Sequence, residues 1–197
     1  MKDRNILYMT LKIIGYPFFM LIFHPKIVNQ KKPETGFIVC GNHTSPLDIL
    51  LLIATNRRKL HFFSKIELFS SKFKNKFFRA MGCIPVNRKE KNKDALAEGY
   101  KCLEEDKVIA IFPEGTINKT SDIIMPFKYG AVKMALETKK PILPFAIVGK
   151  YKVFGRRVKI IYGEPYNLMS DNLEKENEIL MQKVIALIKG EINEKGK

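Results

Sequence analysis

The chain predicts an α/β fold with a largely parallel central sheet flanked by helices. Three observations point there. Short apolar runs alternate with longer helical patterns from residue 37 onward. A length of 197 residues suits one domain with at most a small appendage. Three of the apolar runs end in polar, motif-like residues, as strands do where a parallel sheet builds a site at its carboxyl edge.

The elements follow in order. "FIVCG", 37–41, reads as a buried strand. "SPLDILLLIAT" reads as a helix with Ser45 as N-cap, Pro46 in the first turn and Asp48 at capping-box spacing. "KLHFFSK" is a second strand, and "SSKFKNKFFRAMG" a basic amphipathic helix ending at Gly82. "CIPVN" is a third strand. "NKDALAEGYKCLEED" is a helix and "KVIAIFPEG" a fourth strand. "KYGAVKMALETKK" is a helix, "PILPFAIVG" a fifth strand and "RRVKIIYGEP" a last one. A long amphipathic helix closes the chain, with Leu173, Leu180, Val184, Leu187 and Ile188 near one face.

The amino terminus is different. Ile6 to Phe23 is apolar apart from Thr10, Lys12 and a Gly-Tyr-Pro break. As a helix it would span about 27 Å, against a bilayer core of about 30 Å. Pro17 would bend or end it. The expectation is a segment that enters one leaflet without crossing; a core helix, a true span and a signal peptide are the alternatives. "FHPKIVNQ" offers no small-residue cleavage site for a signal peptide. The chain thus divides into a membrane-associating helical segment, 1–30, and a main domain, 31–197.

The charge is +15, from 35 Lys and Arg against 20 Asp and Glu. Such a surplus implies an anionic partner: nucleic acid, an acidic membrane surface or a phosphorylated substrate. No recognised nucleic-acid motif accompanies it. A basic membrane- or nucleic-acid-binding protein without catalysis is the reading from a different class. Cys40, Cys83 and Cys102 are an odd number with no CxxC, against a disulfide framework and against zinc. They read as reduced core thiols, which places the chain in the cytoplasm or at its membrane face.

"CGNHTSPLD", 40–48, carries the first chemical signal. If the helix starts at Ser45 or Pro46, His43 lies in the turn before it and Asp48 can reach back to the ring. A carboxylate on one imidazole nitrogen fixes the tautomer and leaves the other free to accept a proton. That is a general-base dyad whose hydroxyl comes from the substrate. Ser45 as nucleophile is a rival without a nucleophile-elbow setting. "FPEGT", 112–116, is the second signal: a sharp turn in which Gly115 lets backbone approach a ligand and Glu114 binds a hydroxyl or orients a cation. "GCIPVNR", 82–88, is the third, with Arg88 a rigid donor fork for phosphate. Each has a bland alternative: a helix cap, a tight turn, a solvated charge.

Together these blocks resemble the glycerolipid acyltransferases that include PlsC, the 1-acylglycerol-3-phosphate acyltransferases. "NHTSPLD" looks like the family's first block, with His43 and Asp48 in the catalytic places. "GCIPVNR" looks like the second, although Pro85 and Asn87 replace the usual bulky apolar and acidic residues. "FPEGT" matches the third and "PILPFAIVG" looks like the fourth, centred on Pro144. "MPFKYGA" matches the run that follows the third block, and Lys65 falls where a basic residue often follows the second strand.

The resemblance implies transfer of a fatty acyl group from acyl-CoA or acyl-carrier protein to the free hydroxyl of lysophosphatidate, giving phosphatidic acid. His43 would be the base and Asp48 its orienting partner. Arg88, Glu114, Gly115, Thr116 and Lys65 would bind substrate. Backbone N–H groups near the strand-to-helix turn are the expected oxyanion donors. No cofactor and no metal are implied. Other acceptors in the same family are glycerol 3-phosphate, another lysophospholipid or an aminolipid. The expected partner is an anionic membrane surface rather than nucleic acid. The basic helix 71–79 would either lie at that surface or pack its Phe side on the core.

Overall fold

The computed structural model describes residues 6–29, 31–87, 93–155 and 158–195. In chain order it has α1 (Ile6–Phe23), β1 (Lys26–Val28), β2 (Phe37–Gly41), α2 (Asp48–Thr55) and β3 (Leu60–Lys65). A 3₁₀ turn, Ile66–Phe69, leads to α3 (Lys72–Ala80) and β4 (Cys83–Val86). Then come α4 (Lys93–Glu104), β5 (Val108–Ile111), α5 (Gly130–Thr138), β6 (Ile142–Gly149), β7 (Val158–Tyr162) and α6 (Leu173–Lys195).

The strands form one seven-stranded sheet in the order β1-β7-β6-β2-β5-β3-β4. Every neighbouring pair is parallel except β6 and β7, which form an antiparallel hairpin. The carboxyl ends of β2, β3, β4, β5 and β6 therefore share one edge of the sheet. β1 has no counterpart among the sequence expectations. It is three residues long and lies beside the polar link, too short to show a period. The boundary expected at residue 30 falls just after this strand.

Side chains alternate across the sheet, so each strand feeds two cores. Ile38, Cys40, Ile109, Ile142 and Ala146 pack with Leu103 of α4, Val132 and Met134 of α5, and Leu180 and Val184 of α6. Phe37, Val39, Val108, Leu143 and Phe145 pack on the other face with Phe19 of α1 and Leu51 and Leu52 of α2. The result is three layers, with α1 and α2 over one face and α4, α5 and α6 over the other. Such double cover explains why the strands read as continuous apolar runs.

α1 runs as one helix through Pro17. It lies along α2, and its inward residues explain the single charge in an apolar run. The Lys12 ammonium donates to the Asn56 carbonyl at the end of α2, and Lys32 donates to the Thr55 carbonyl beside it. Cations at a helix carboxyl end meet its unpaired carbonyls and its negative pole. Burial, then the nearby Lys12 and Arg57 charges, push Lys32 down to about 8. The opposite face of α1 leaves Ile6, Ile13, Ile14, Phe18 and Leu21 exposed. Both faces are thus apolar, with one lysine turned inward.

α3 is capped by Ser71, whose Oγ accepts from the Lys74 N–H. None of its residues is buried, and Phe73 is 80% exposed. Phe78 packs on Phe69 of the 3₁₀ turn and on Phe77. The helix therefore rests on an edge of the fold rather than in a core.

Gly41, the last residue of β2, sits against β6. A Cβ there would lie 2.1 Å from the Phe145 carbonyl oxygen. Gly41→Ala must push β2 and β6 apart just below the first motif. The expected loss is about 1–3 kcal/mol of stability, read as a lower denaturant midpoint at unchanged slope.

A candidate active site at the carboxyl edge of the sheet

The chain leaves β2 at Gly41 and turns into α2 through Asn42 to Leu47. Asn42 is 3% exposed and anchors the turn to β6. Its Nδ2 donates to the Ile147 carbonyl at 2.9 Å, and its Oδ1 accepts the Ile147 N–H at 2.7 Å. His43 follows, held at both backbone ends. Its N–H donates to Glu114 Oε1 at 2.7 Å, and its carbonyl accepts the Asn118 N–H at 2.8 Å.

Asp48 is fully buried, and donors surround its carboxylate. Oδ2 accepts from His43 Nδ1 at 2.9 Å, Thr44 N–H at 2.6 Å and Ser45 N–H at 2.8 Å. Oδ1 accepts from the Tyr151 hydroxyl at 2.8 Å. A carboxylate only accepts, so His43 Nδ1 carries its proton and Nε2 presents a lone pair. The His43 side chain keeps a 13% exposed surface while Asp48 is fully buried. Phe112 stacks on the imidazole at 4.0 Å and 17°, and Phe145 meets Phe112 edge-on. The ring is thus set in plane by Phe112 and in rotation by Asp48.

The helix start differs from the expected capping box. α2 begins at Asp48, after a turn in which Asp48 N–H donates to the Ser45 carbonyl at 3.0 Å. Asp48 still reaches back to the Ser45 N–H, but Ser45 Oγ accepts from Leu47 N–H at 3.3 Å. This has a chemical consequence. The N–H groups of His43, Thr44, Ser45, Leu47 and Asp48 are all engaged, and Pro46 has none. The expectation that this turn supplies oxyanion donors is therefore corrected. Asp48, Glu114 and the turn itself use them.

Glu114 also departs from its expected part. It is 3% exposed, and both oxygens accept backbone N–H groups: His43 at 2.7 Å and Met125 at 2.8 Å. It ties the His43 turn to the segment before α5, with one backbone N–H on each oxygen. Burial raises its carboxyl above the ordinary 4.5, against the lowering effect of the two N–H bonds and of His43.

Gly115 has φ +74°, and a Cβ on it would lie 2.8 Å from Lys128 Nζ. The Lys128 side chain is laid across this turn, while its N–H donates to the Pro113 carbonyl at 2.9 Å. Thr116 is exposed beside it. Lys65 ends β3, exposed on the same edge but two strands from β2. Arg88 lies outside the described residues, just past β4.

Two residues of the site were not singled out from sequence. Lys128 sat in "MPFKYGA", a run noted only for its resemblance. Tyr151 gave no signal, because its contact with Asp48 joins residues 103 apart.

The acyltransferase family model matches residues 24–148, which contain His43, Asp48 and Glu114. The 1-acyl-sn-glycerol-3-phosphate acyltransferase of Bacillus subtilis (strain 168) is 30% identical over 147 residues, 71% of this chain and 72% of that protein. The protein of the same name from Borreliella burgdorferi is 35% identical over 127 residues, 64% of this chain and half of that one. The crystal structure of PlsC, an LPA acyltransferase from Thermotoga maritima, superposes with a TM-score of 0.67 at 23% identity. It covers 95% of this chain and 83% of that one, and shares its fold.

Glu114→Gln tests the tie. The amide nitrogen would face a backbone N–H, leaving one donor unmet, at a cost of about 1–3 kcal/mol. The pH dependence carries a sign. A raised carboxyl pKa means the folded state holds the proton more tightly, so Glu114 contributes most below 4.5 and less as pH rises through its folded value. The stability difference between wild type and Glu114→Gln should shrink from pH 4 to pH 7, measured by thermal unfolding across that range.

Proposed function

Because the chain belongs to the acyltransferase family, we propose that it moves a fatty acyl group from a thioester to the free hydroxyl of 1-acylglycerol 3-phosphate. The donor is acyl-CoA or acyl-carrier protein, and the products are phosphatidic acid and the free thiol. One observation carries this reading. His43 bonds Asp48 through Nδ1 and keeps Nε2 for a substrate hydroxyl.

In this mechanism the acceptor hydroxyl donates to His43 Nε2. As its oxygen attacks the thioester carbonyl, the proton passes to His43, and Asp48 steadies the resulting cation. The tetrahedral intermediate collapses, the carbon–sulfur bond breaks, and His43 returns the proton to the departing thiolate. No acyl group rests on the protein. Asp48 and Phe112 hold the imidazole before substrate arrives, and such positioning supplies several kcal/mol of barrier reduction.

The acceptor phosphate needs cations. Lys128 across Gly115 supports that role, and Arg88 is the expected partner from the β4 end. Lys65 and Thr116 stand on the same edge. The relatives from Bacillus subtilis and Borreliella burgdorferi carry 1-acyl-sn-glycerol-3-phosphate in their names, which favours that acceptor over others.

Membrane association belongs to the same proposal. α1 is 18 residues long with a mean hydropathy of 1.8, and its outer face is apolar and exposed. Val153 and Phe154, in the β6–β7 hairpin, are 59% and 75% exposed beside it, with the Phe154 N–H on the Ile22 carbonyl. With a net charge of +15, an apolar face plus basic surroundings suits an anionic bilayer better than either signal alone. The basic helix α3, with Phe73 uncovered, fits the same surface. The proposed location is the cytoplasmic face of the membrane.

The test is thiol release from acyl-CoA and from acyl-carrier protein, each with and without lysophosphatidate. Release that needs the acceptor and vanishes in His43→Ala supports the reading and names the donor. Asp48→Asn should lower kcat by orders of magnitude, toward the ~10⁴-fold loss that follows removal of the orienting charge in a comparable dyad. Acceptor-dependent turnover that survives both substitutions would overturn the dyad.

A further inference from the structure

The β6–β7 hairpin reaches over the sheet edge and brings one hydroxyl to the dyad. Tyr151 donates to Asp48 Oδ1 at 2.8 Å, on the oxygen His43 does not use. Its ring is gripped by the amino-terminal helix. Phe23 meets it edge-on at 5.7 Å and Phe19 at 6.4 Å. Phe19 and Phe23 pack on each other at 5.0 Å. One side chain therefore joins the apolar anchor to the buried carboxylate.

The physical need is clear at Asp48. Oδ2 is fixed by three donors, including two backbone N–H groups. Among the described residues, Oδ1 has Tyr151 and a long 3.4 Å contact from Thr44 Oγ1. Without the phenol, the carboxylate keeps a buried and poorly satisfied oxygen, and it gains freedom to rotate. Rotation breaks the Oδ2–Nδ1 bond that holds the imidazole.

Burial, and then the Asp48 charge, push the Tyr151 phenol far above its ordinary value, so it stays protonated and stays the donor. Glu114, which also acts on His43 and Asp48, is bound to backbone through both oxygens. On α1, Lys12 is engaged at the far end of α2.

We propose that Tyr151 is a positioning residue for the His43–Asp48 dyad, and that Phe19 and Phe23 of α1 hold it in place. The proposal rests on the general-base reading of His43. It gives α1 a part in the chemistry as well as in anchoring: the seat of the helix is felt at the carboxylate through one ring and one hydroxyl.

Tyr151→Phe is the decisive variant, because it keeps the ring contacts and removes only the hydroxyl. The expected result is a loss of about tenfold or more in kcat, the size of one hydrogen bond to a charged group. KM for donor and acceptor should hold. The His43 Nδ1 proton resonance, assigned by its absence in His43→Ala, should move or broaden. Phe23→Ala should also lower kcat, yet add little on top of Tyr151→Phe.

Wild-type kcat with an unmoved resonance in Tyr151→Phe would overturn the proposal. So would a lower kcat with an unmoved resonance, since that marks a purely structural tyrosine. Fully additive losses would overturn the link to α1. A His43→Ala enzyme that stays active would instead bring down the general-base reading and this proposal with it.

Discussion

The site is organised around the buried carboxylate of Asp48. Burying a charge is costly unless donors compensate it. Here one carboxylate gathers the His43 ring, two backbone N–H groups and the Tyr151 hydroxyl. Three of these donors belong to the turn 43–45 and the fourth to the β6–β7 hairpin, so satisfying the charge also fixes both segments. The turn between β2 and α2 is bent around Oδ2. The β6–β7 hairpin is drawn in over Oδ1. The imidazole is left with one nitrogen tied and one open.

A second carboxylate does similar work one turn away. Glu114 closes the backbone of His43 onto the segment before α5. Phe112, two residues before it, supplies the face on which the imidazole stacks. "FPEGT" thus supports the histidine through Glu114 and Phe112. Its glycine keeps the turn open for the Lys128 side chain.

The amino-terminal helix has two apolar faces with different partners. The inward face docks on α2 and the sheet through Tyr8, Phe19 and the capping ammonium of Lys12. The outward face has no partner among the described residues and leaves Ile6, Ile13, Ile14, Phe18 and Leu21 exposed. The same helix grips Tyr151, so its exposed apolar side and the side that holds the Asp48 donor are only one helix apart.

Much of this was legible in the sequence, for physical reasons that can be named. Continuous apolar runs between helical periods determined an α/β fold, because doubly covered strands show no alternation. The His-x4-Asp spacing determined the dyad, because both residues belong to one strand-to-helix turn and their geometry is local. Local turn chemistry also marked Gly115. Other features depended on contacts distant in sequence. The antiparallel reversal of β7 and the edge strand β1 were decided by pairing, which short runs do not encode. The orientation of Lys12 was decided by packing on α2. The tasks of Glu114 and the turn amides were decided by which donors met which oxygens after folding. Tyr151 belongs wholly to the tertiary structure: only the closure of a hairpin over the sheet edge sets its hydroxyl on Asp48, across 103 residues of chain.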